Sequence, residues 1–407
     1  MRRFSIGIVA LATVAGLDAA PALGPRGAQE LSAVLRQAVA RGDVPAVVAM
    51  VVGPNDVLYH EAFGKLNVAA NVDLPKDAIF NIASMTKPIT SVAVMMLVEQ
   101  GRLALDDELA RYDPAWRSPQ VIVSVDAAAG TYRTRPAARP ITIRHLLTHT
   151  SGIGYIFFNP TLAAVSKAAG RTNELELPLV HDPGERWTYG ASTRVLGQVV
   201  EKISGQPIDE FLRSRIFEPL GMRDTGYVVP AGGRRRVVTT HQRGADGALH
   251  EQPLPDTVQS PVRGDGGLYS TAADYGRFLQ MLLHGGRSGR TRLLGERWVR
   301  EMTRPHTGRI VVETQQPTDP ARSRPFPLGA GADRWGLGFQ ITAPASTSSA
   351  LRRPGSYAWA GAFNTHFWVD PEEEIGVILL MQLLPFYDER AMGLVKAFEE
   401  GLYRNLE

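Results

Sequence analysis

The chain of 407 residues contains no cysteine, so disulfides, a thiol nucleophile and cysteine-held metal sites are all excluded. Lysine is scarce: six lysines stand against 38 arginines, and the net charge is +3. The densest basic cluster, Arg234-Arg235-Arg236, has no interleaved aromatic residues and no second patch. It reads as a solvated loop, and no nucleic-acid partner is expected. Gly-x-Ser-x-Gly is absent, which argues against the nucleophile elbow of an α/β-hydrolase triad, and His-Glu-x-x-His is absent, which argues against a zinc hydrolase. No internal repeat is present. With 44% apolar and 21% charged residues, the chain is that of an ordinary globular protein, long enough for one large domain or two smaller ones.

Long apolar runs are missing except at the start. Arg2 and Arg3 precede an apolar or small stretch from Phe4 to Leu17, and Ala20-Pro21-Ala22 offers small residues for cleavage. The stretch is too short for a comfortable membrane span. A signal peptide over residues 1–22 is expected, leaving a periplasmic or secreted protein without stable membrane insertion. The competing reading is an N-terminal helix or a misassigned start.

Residues 27–40 have helical periodicity, with Leu31, Val34, Leu35 and Ala38 on one face. Val44–Val52 and Val57–Phe63 are β-branched runs around Gly53-Pro54-Asn55-Asp56, which predicts an antiparallel hairpin. Residues 113–140 read as a loop and 225–265 as a polar, glycine-rich loop with a few short strands, and both are expected to shape a pocket. Helices are predicted at 141–152, 185–204, 207–216, 271–285, 296–303 and 389–402, and strands at 335–341, 357–360, 365–370 and 374–381. Strands thus lie at both ends and helices between them. The simplest arrangement is an α/β protein of the α+β type. Its terminal segments, about 23–80 and 335–407, share one antiparallel sheet, and about 81–334 form a mostly helical lobe.

The stretch from Asn81 to Gln100 reads as a buried helix with Ser84 and Lys87 in its first turn, one turn apart on one face. A serine hydroxyl attacks only if something takes its proton. Burial and the positive end of a helix dipole both push a lysine toward the neutral amine that can do so. With nineteen serines and six lysines the spacing also arises by chance, so the pair alone leaves both readings open. Tyr189, near a helix start after the turn His181-Asp182-Pro183-Gly184, is a candidate second proton carrier or simply a core tyrosine. Trp359-Ala360-Gly361-Ala362 is a candidate strand edge for holding an oxyanion, or a turn that merely needs glycine.

Taken in order, Ser84-Met-Thr-Lys87, Leu146-Leu-Thr-His-Thr-Ser-Gly-Ile153, Pro183-Gly-Glu-Arg-Trp-Thr-Tyr189, Gly266-Gly-Leu-Tyr-Ser-Thr-Ala-Ala-Asp274 and Trp359-Ala-Gly361 closely resemble the motifs of the serine β-lactamase-related family. This group comprises class C β-lactamases, penicillin-binding D,D-peptidases and family VIII carboxylesterases. The resemblance spans residues 25–400 and implies a β-lactamase/transpeptidase-like fold. It implies Ser84 as the acylated nucleophile, Lys87 as its proton partner and Tyr189 as the base that later activates water. The Ser84 and Ala362 amides would form the oxyanion hole, and no metal or cofactor would be needed. Trp359, Gly361, Ala191 and Tyr155 fall to substrate binding.

Two departures bear on the substrate. Trp359 stands where penicillin-recognising members carry a lysine, and Ala191 stands where they carry an asparagine that contacts the substrate amide. Charge-assisted bonds contribute ~1.5–3 kcal/mol each, so a carboxylated amide should bind poorly. A Trp-x-Gly third motif is typical of the esterase branch. The expected activity is hydrolysis of a small neutral ester. The alternatives are a β-lactamase or D-amino-acid peptidase, an acyltransferase, or a non-enzymatic cell-wall-binding or regulatory relative. His149 and His366 are expected to be structural, hydrogen bonding within loops.

Overall fold

The computed structural model describes residues 21–347 and 351–406. The expected leader falls almost entirely outside them. Eight antiparallel strands form the main sheet. We label them Ala46–Val52 (β1), Val57–Asn67 (β2), Val72–Asp73 (β3), Arg334–Trp335 (β4), Gln340–Ile341 (β5), Tyr357–Gly361 (β6), Thr365–Asp370 (β7) and Ile375–Leu380 (β8). Their spatial order is β4-β5-β6-β7-β8-β1-β2-β3. The two ends of the chain meet where β1 pairs with β8, with Val48 opposite Leu380 and Val52 opposite Gly376.

β1 has no polar residue because both faces of the sheet are covered. Val47, Ala49 and Val51 pack against the first and last helices, Pro25–Ala40 (α1) and Glu389–Asn405 (α5), through Leu31, Leu35, Leu394 and Phe398. Val48, Met50 and Val52 face the larger core, where Ala272–Leu283 (α4) crosses them. Gly276 of α4 leaves room there for the Met50 side chain, which would lie 3.1 Å from an added Cβ. Phe398 is fully buried, and truncating such a ring to alanine costs about 3–5 kcal/mol.

The helical segments lie between the sheet's two halves in sequence. Thr86–Glu99 (α2) is buried from Thr86 to Val98, as its apolar residues on most sides predict. It packs against Ser192–Ser204 (α3).

Three expectations are corrected. Residues 113–140 are not featureless: Gln120–Asp126 and Thr131–Pro136 form an antiparallel hairpin. Residues 185–191 are not helical; the turn at Gly184 (φ +81°) leads into an irregular stretch through Trp187–Tyr189, and α3 starts only at Ser192. Residues 335–341 are not one strand, because Gly338 (φ +105°) folds the chain back so that β4 pairs with β5.

Candidate active site

The nucleophile candidate sits on a sharp corner. Strand Phe80–Ala83, paired with Leu268–Ser270, ends at Ala83, whose φ of +44° is left-handed. A non-glycine residue held there is strained, and such strain clusters at functional sites. The corner is fixed by Ala83 N–H donating to Asn81 Oδ1 (3.0 Å) and Thr86 Oγ1 donating to Ala83 O (2.7 Å). Ser84 therefore lies in the turn before α2, rather than inside its first helical turn as expected. Lys87 is in that turn, with its Nζ donating to Ser84 Oγ at 3.1 Å.

Lys87 is 2% exposed. Its Nζ also donates to Tyr155 OH (3.1 Å) and to Asp265 O (2.7 Å). Burial brings its pKa down to about 7; the Asp265 carboxylate opposes this, and Arg194 and Arg263 reinforce it. A substantial neutral fraction at pH 7 follows, as the sequence reading required.

Tyr189 meets the same group. The Ser84 side chain is near enough to lower the Tyr189 phenol against the effect of burial, and Lys87 Nζ lies 4.7 Å from the Tyr189 ring centre. Burial raises the phenol well above its ordinary value, so Tyr189 rests protonated. Its backbone N–H donates to Gln315 Oε1 at 3.2 Å. Gly190 follows because a Cβ there would lie 2.0 Å from Ile153 O. The Trp359 indole Nε1–H donates to Tyr189 OH at 3.3 Å.

Ala362 lies directly after β6. A Cβ on Gly361 would lie 2.3 Å from both Ile82 O and Thr365 Oγ1, so only glycine lets β6 close against the backbone leading to Ser84. Ala362 and Ser84 then border one cavity of about 590 Å³. Among the described residues neither amide is engaged by another group. Tyr155, Phe157, Phe158, Trp359, Phe363 and Phe386 give the cavity aromatic surface.

Several assigned roles change. Ala191 is fully buried ahead of α3, and Gly361 is buried behind Ala362; neither reaches the cavity. Tyr155 does border the cavity, but its hydroxyl is committed to the proton network. It donates to Asp265 Oδ2 at 2.5 Å while accepting from Lys87. Ser260 to Asp265 supply part of the wall, whereas residues 113–140 supply none and instead hold Asp182 through Arg135. Among the described residues His149 Nδ1 and His366 Nε2 have no hydrogen-bond partner, in place of the expected bonds within loops. His149 packs against Trp187, Tyr189 and Trp335, and His366 lies in β7. Burial keeps both neutral, His366 with a pKa of about 3.

The sequence reading missed Asp265 and Arg194. Asp265 is 3% exposed and accepts from Arg194 Nε at 3.2 Å, and Arg194 also donates to Glu174 at 3.0 Å. Burial alone would raise the Asp265 carboxyl, but Lys87 and Arg194 bring it below its ordinary range. The available signal was an acid between glycines, Gly264-Asp265-Gly266, one residue ahead of a motif already singled out. No group of three or more metal-ligating side chains gathers among the described residues.

The family model described as Beta-lactamase matches residues 31–399, nearly the whole chain. The chain belongs to the beta-lactamase family. Within this family, the chain is 30% identical to monacolin J acid methylbutanoyltransferase of Aspergillus terreus, over 95% of this chain and 98% of that one. It is 29% identical to esterase EstB of Burkholderia gladioli, over 92% and 95% of the two chains. The solved structure of simvastatin synthase (LovD) from Aspergillus terreus superposes with a TM-score of 0.79 at 26% identity, covering 93% of this chain and 98% of that chain. The fold is that of the β-lactamase/transpeptidase group, and general serine hydrolase or acyl-transfer chemistry accords with these relatives.

Proposed function

We propose that the protein is a serine hydrolase that cleaves carboxylic esters through an acyl-enzyme on Ser84. The observation that carries this reading is a buried Lys87, titrating at about 7, with its Nζ 3.1 Å from Ser84 Oγ. As Ser84 Oγ attacks the ester carbonyl, neutral Lys87 takes the hydroxyl proton. The developing oxyanion is met by the Ser84 and Ala362 N–H groups. Tyr189, protonated at rest, passes its proton to the departing alkoxide and is resupplied from the Lys87 ammonium. Hydrolysis reverses the relay: water attacks the acyl carbonyl, its proton goes to Lys87 by way of Tyr189, and Ser84 Oγ leaves with a returned proton.

Trp359, which borders the cavity in place of the lysine of penicillin-recognising members, supports esters over β-lactams. Acyl transfer is a second reading, favoured by the transferase among the relatives. It uses the same acyl-enzyme, with an alcohol replacing water. The test is turnover of p-nitrophenyl butyrate and a chromogenic cephalosporin under one set of conditions, with product analysis in the presence and absence of an added alcohol. Faster ester turnover is expected. Cephalosporin turnover outpacing the ester would overturn the ester reading, and a new ester in the alcohol arm would establish transfer.

A further inference from the structure

The reaction cavity contains a cation that takes no part in the proton transfers above, although its charge helps to lower the Lys87 pKa. Arg263 borders it together with Ser84, and its side chain is 43% exposed. Its backbone is anchored: Tyr227 OH donates to Arg263 O at 2.7 Å, and residue 263 bridges to Gly266. The guanidinium is not anchored in the same way. The nearest carboxylate oxygen, Asp265 Oδ1, is 3.7 Å from Nε, beyond hydrogen-bond distance. That oxygen has no hydrogen-bond partner among the described residues.

The other cation bordering the cavity, Arg194, is already satisfied. Arg194 holds Glu174 and Asp265 Oδ2, and Asp265 Oδ2 also accepts from Tyr155. Arg263 is left as a partly desolvated planar fork whose side chain donates no hydrogen bond among the described residues. Such a fork matches a carboxylate in geometry as well as charge. The aromatic side chains of the same cavity supply the apolar contact that would accompany it.

We infer that Arg263 binds a carboxylate of the substrate, so that the ester cleaved carries a second, ionised carboxyl group away from the scissile bond. This rests on the ester-hydrolase reading. It replaces the expectation of a wholly neutral ester drawn from Trp359 and Ala191: the cation missing from the third motif is supplied from a different segment of the chain.

The test compares matched pairs, with the charge placed on either side of the ester. One pair is mono-4-nitrophenyl glutarate and its methyl ester; the other is 4-acetoxybenzoate and its methyl ester. In the wild type, the anionic member of at least one pair should have a KM lower by about tenfold or more, an advantage that weakens with added salt. In Arg263→Gln the ratio of kcat/KM between anionic and neutral members should fall by about the same factor, and Arg263→Lys should recover part of it. Thermal unfolding of each variant checks that it is folded. Equal KM values in both pairs, or an advantage that survives in Arg263→Gln, would overturn the inference and leave Arg263 a solvated partner of Asp265. If the wild type turns over neither member and Ser84 resists a fluorophosphonate, the hydrolase reading itself fails, and this inference with it.

Discussion

Trp359 donates its indole N–H to the hydroxyl of Tyr189 at 3.3 Å, which joins it to the proton path proposed above. Beyond the hydrogen bond, the two rings pack with centres 4.9 Å apart. Trp359→Phe keeps most of the packing and removes the donor. A hydrogen bond of this kind contributes about 1 kcal/mol, so kcat for p-nitrophenyl butyrate should fall about fivefold with KM little changed. Unchanged kcat would show that the bond does not position Tyr189 for the reaction.

The pH dependence follows from Lys87. Burial lowers its pKa to about 7, and the neutral amine is the form that accepts the Ser84 proton. The rate kcat/KM should therefore rise with pH and level off above about 7, falling about tenfold per pH unit well below it. Asp265 holds the Lys87 pKa up against burial. Asp265→Asn should move the acidic limb to lower pH, read from the pH profile of whatever activity remains. A limb that moves to higher pH would contradict the assignment.

Much of this site was legible in the sequence because its motifs are short and local. Ser84 and Lys87 are three residues apart, and the neutral lysine follows from a helix that is apolar on nearly every side. What the sequence did not reveal depends on contacts between distant segments. The Lys87–Tyr155–Asp265 network joins positions up to 178 residues apart, and the Trp359–Tyr189 bond crosses 170. Tyr155 was therefore assigned to substrate binding, and Ala191 was placed in a cavity from which burial excludes it. In the fold, β1 and β8 were legible as unbroken apolar runs. The hairpin at 120–136 was not, although Val121, Ile122, Val123 and Val125 were a β-branched signal ahead of the turn at Gly130 (φ +65°). Its strands are largely exposed, and the polar residues of the second mask the alternation.

Gly361 should be intolerant of any side chain. In Gly361→Ala the new Cβ would meet Ile82 O at 2.3 Å, so β6 must move and carry the Ala362 amide with it. Loss of one oxyanion donor costs about 10²–10³ in kcat. The expected outcome is a loss of that order alongside a lowered thermal midpoint. Full activity would show that Ala362 does not serve the oxyanion.

The central claim is a covalent acyl group on Ser84. The most direct measurement is mass spectrometry of the protein quenched in acid during turnover of p-nitrophenyl butyrate. One butyryl group should be found on the peptide containing Ser84, and none in Ser84→Ala, whose turnover should fall to the background rate. Butyryl on any other residue, or undiminished turnover by Ser84→Ala, would contradict the mechanism.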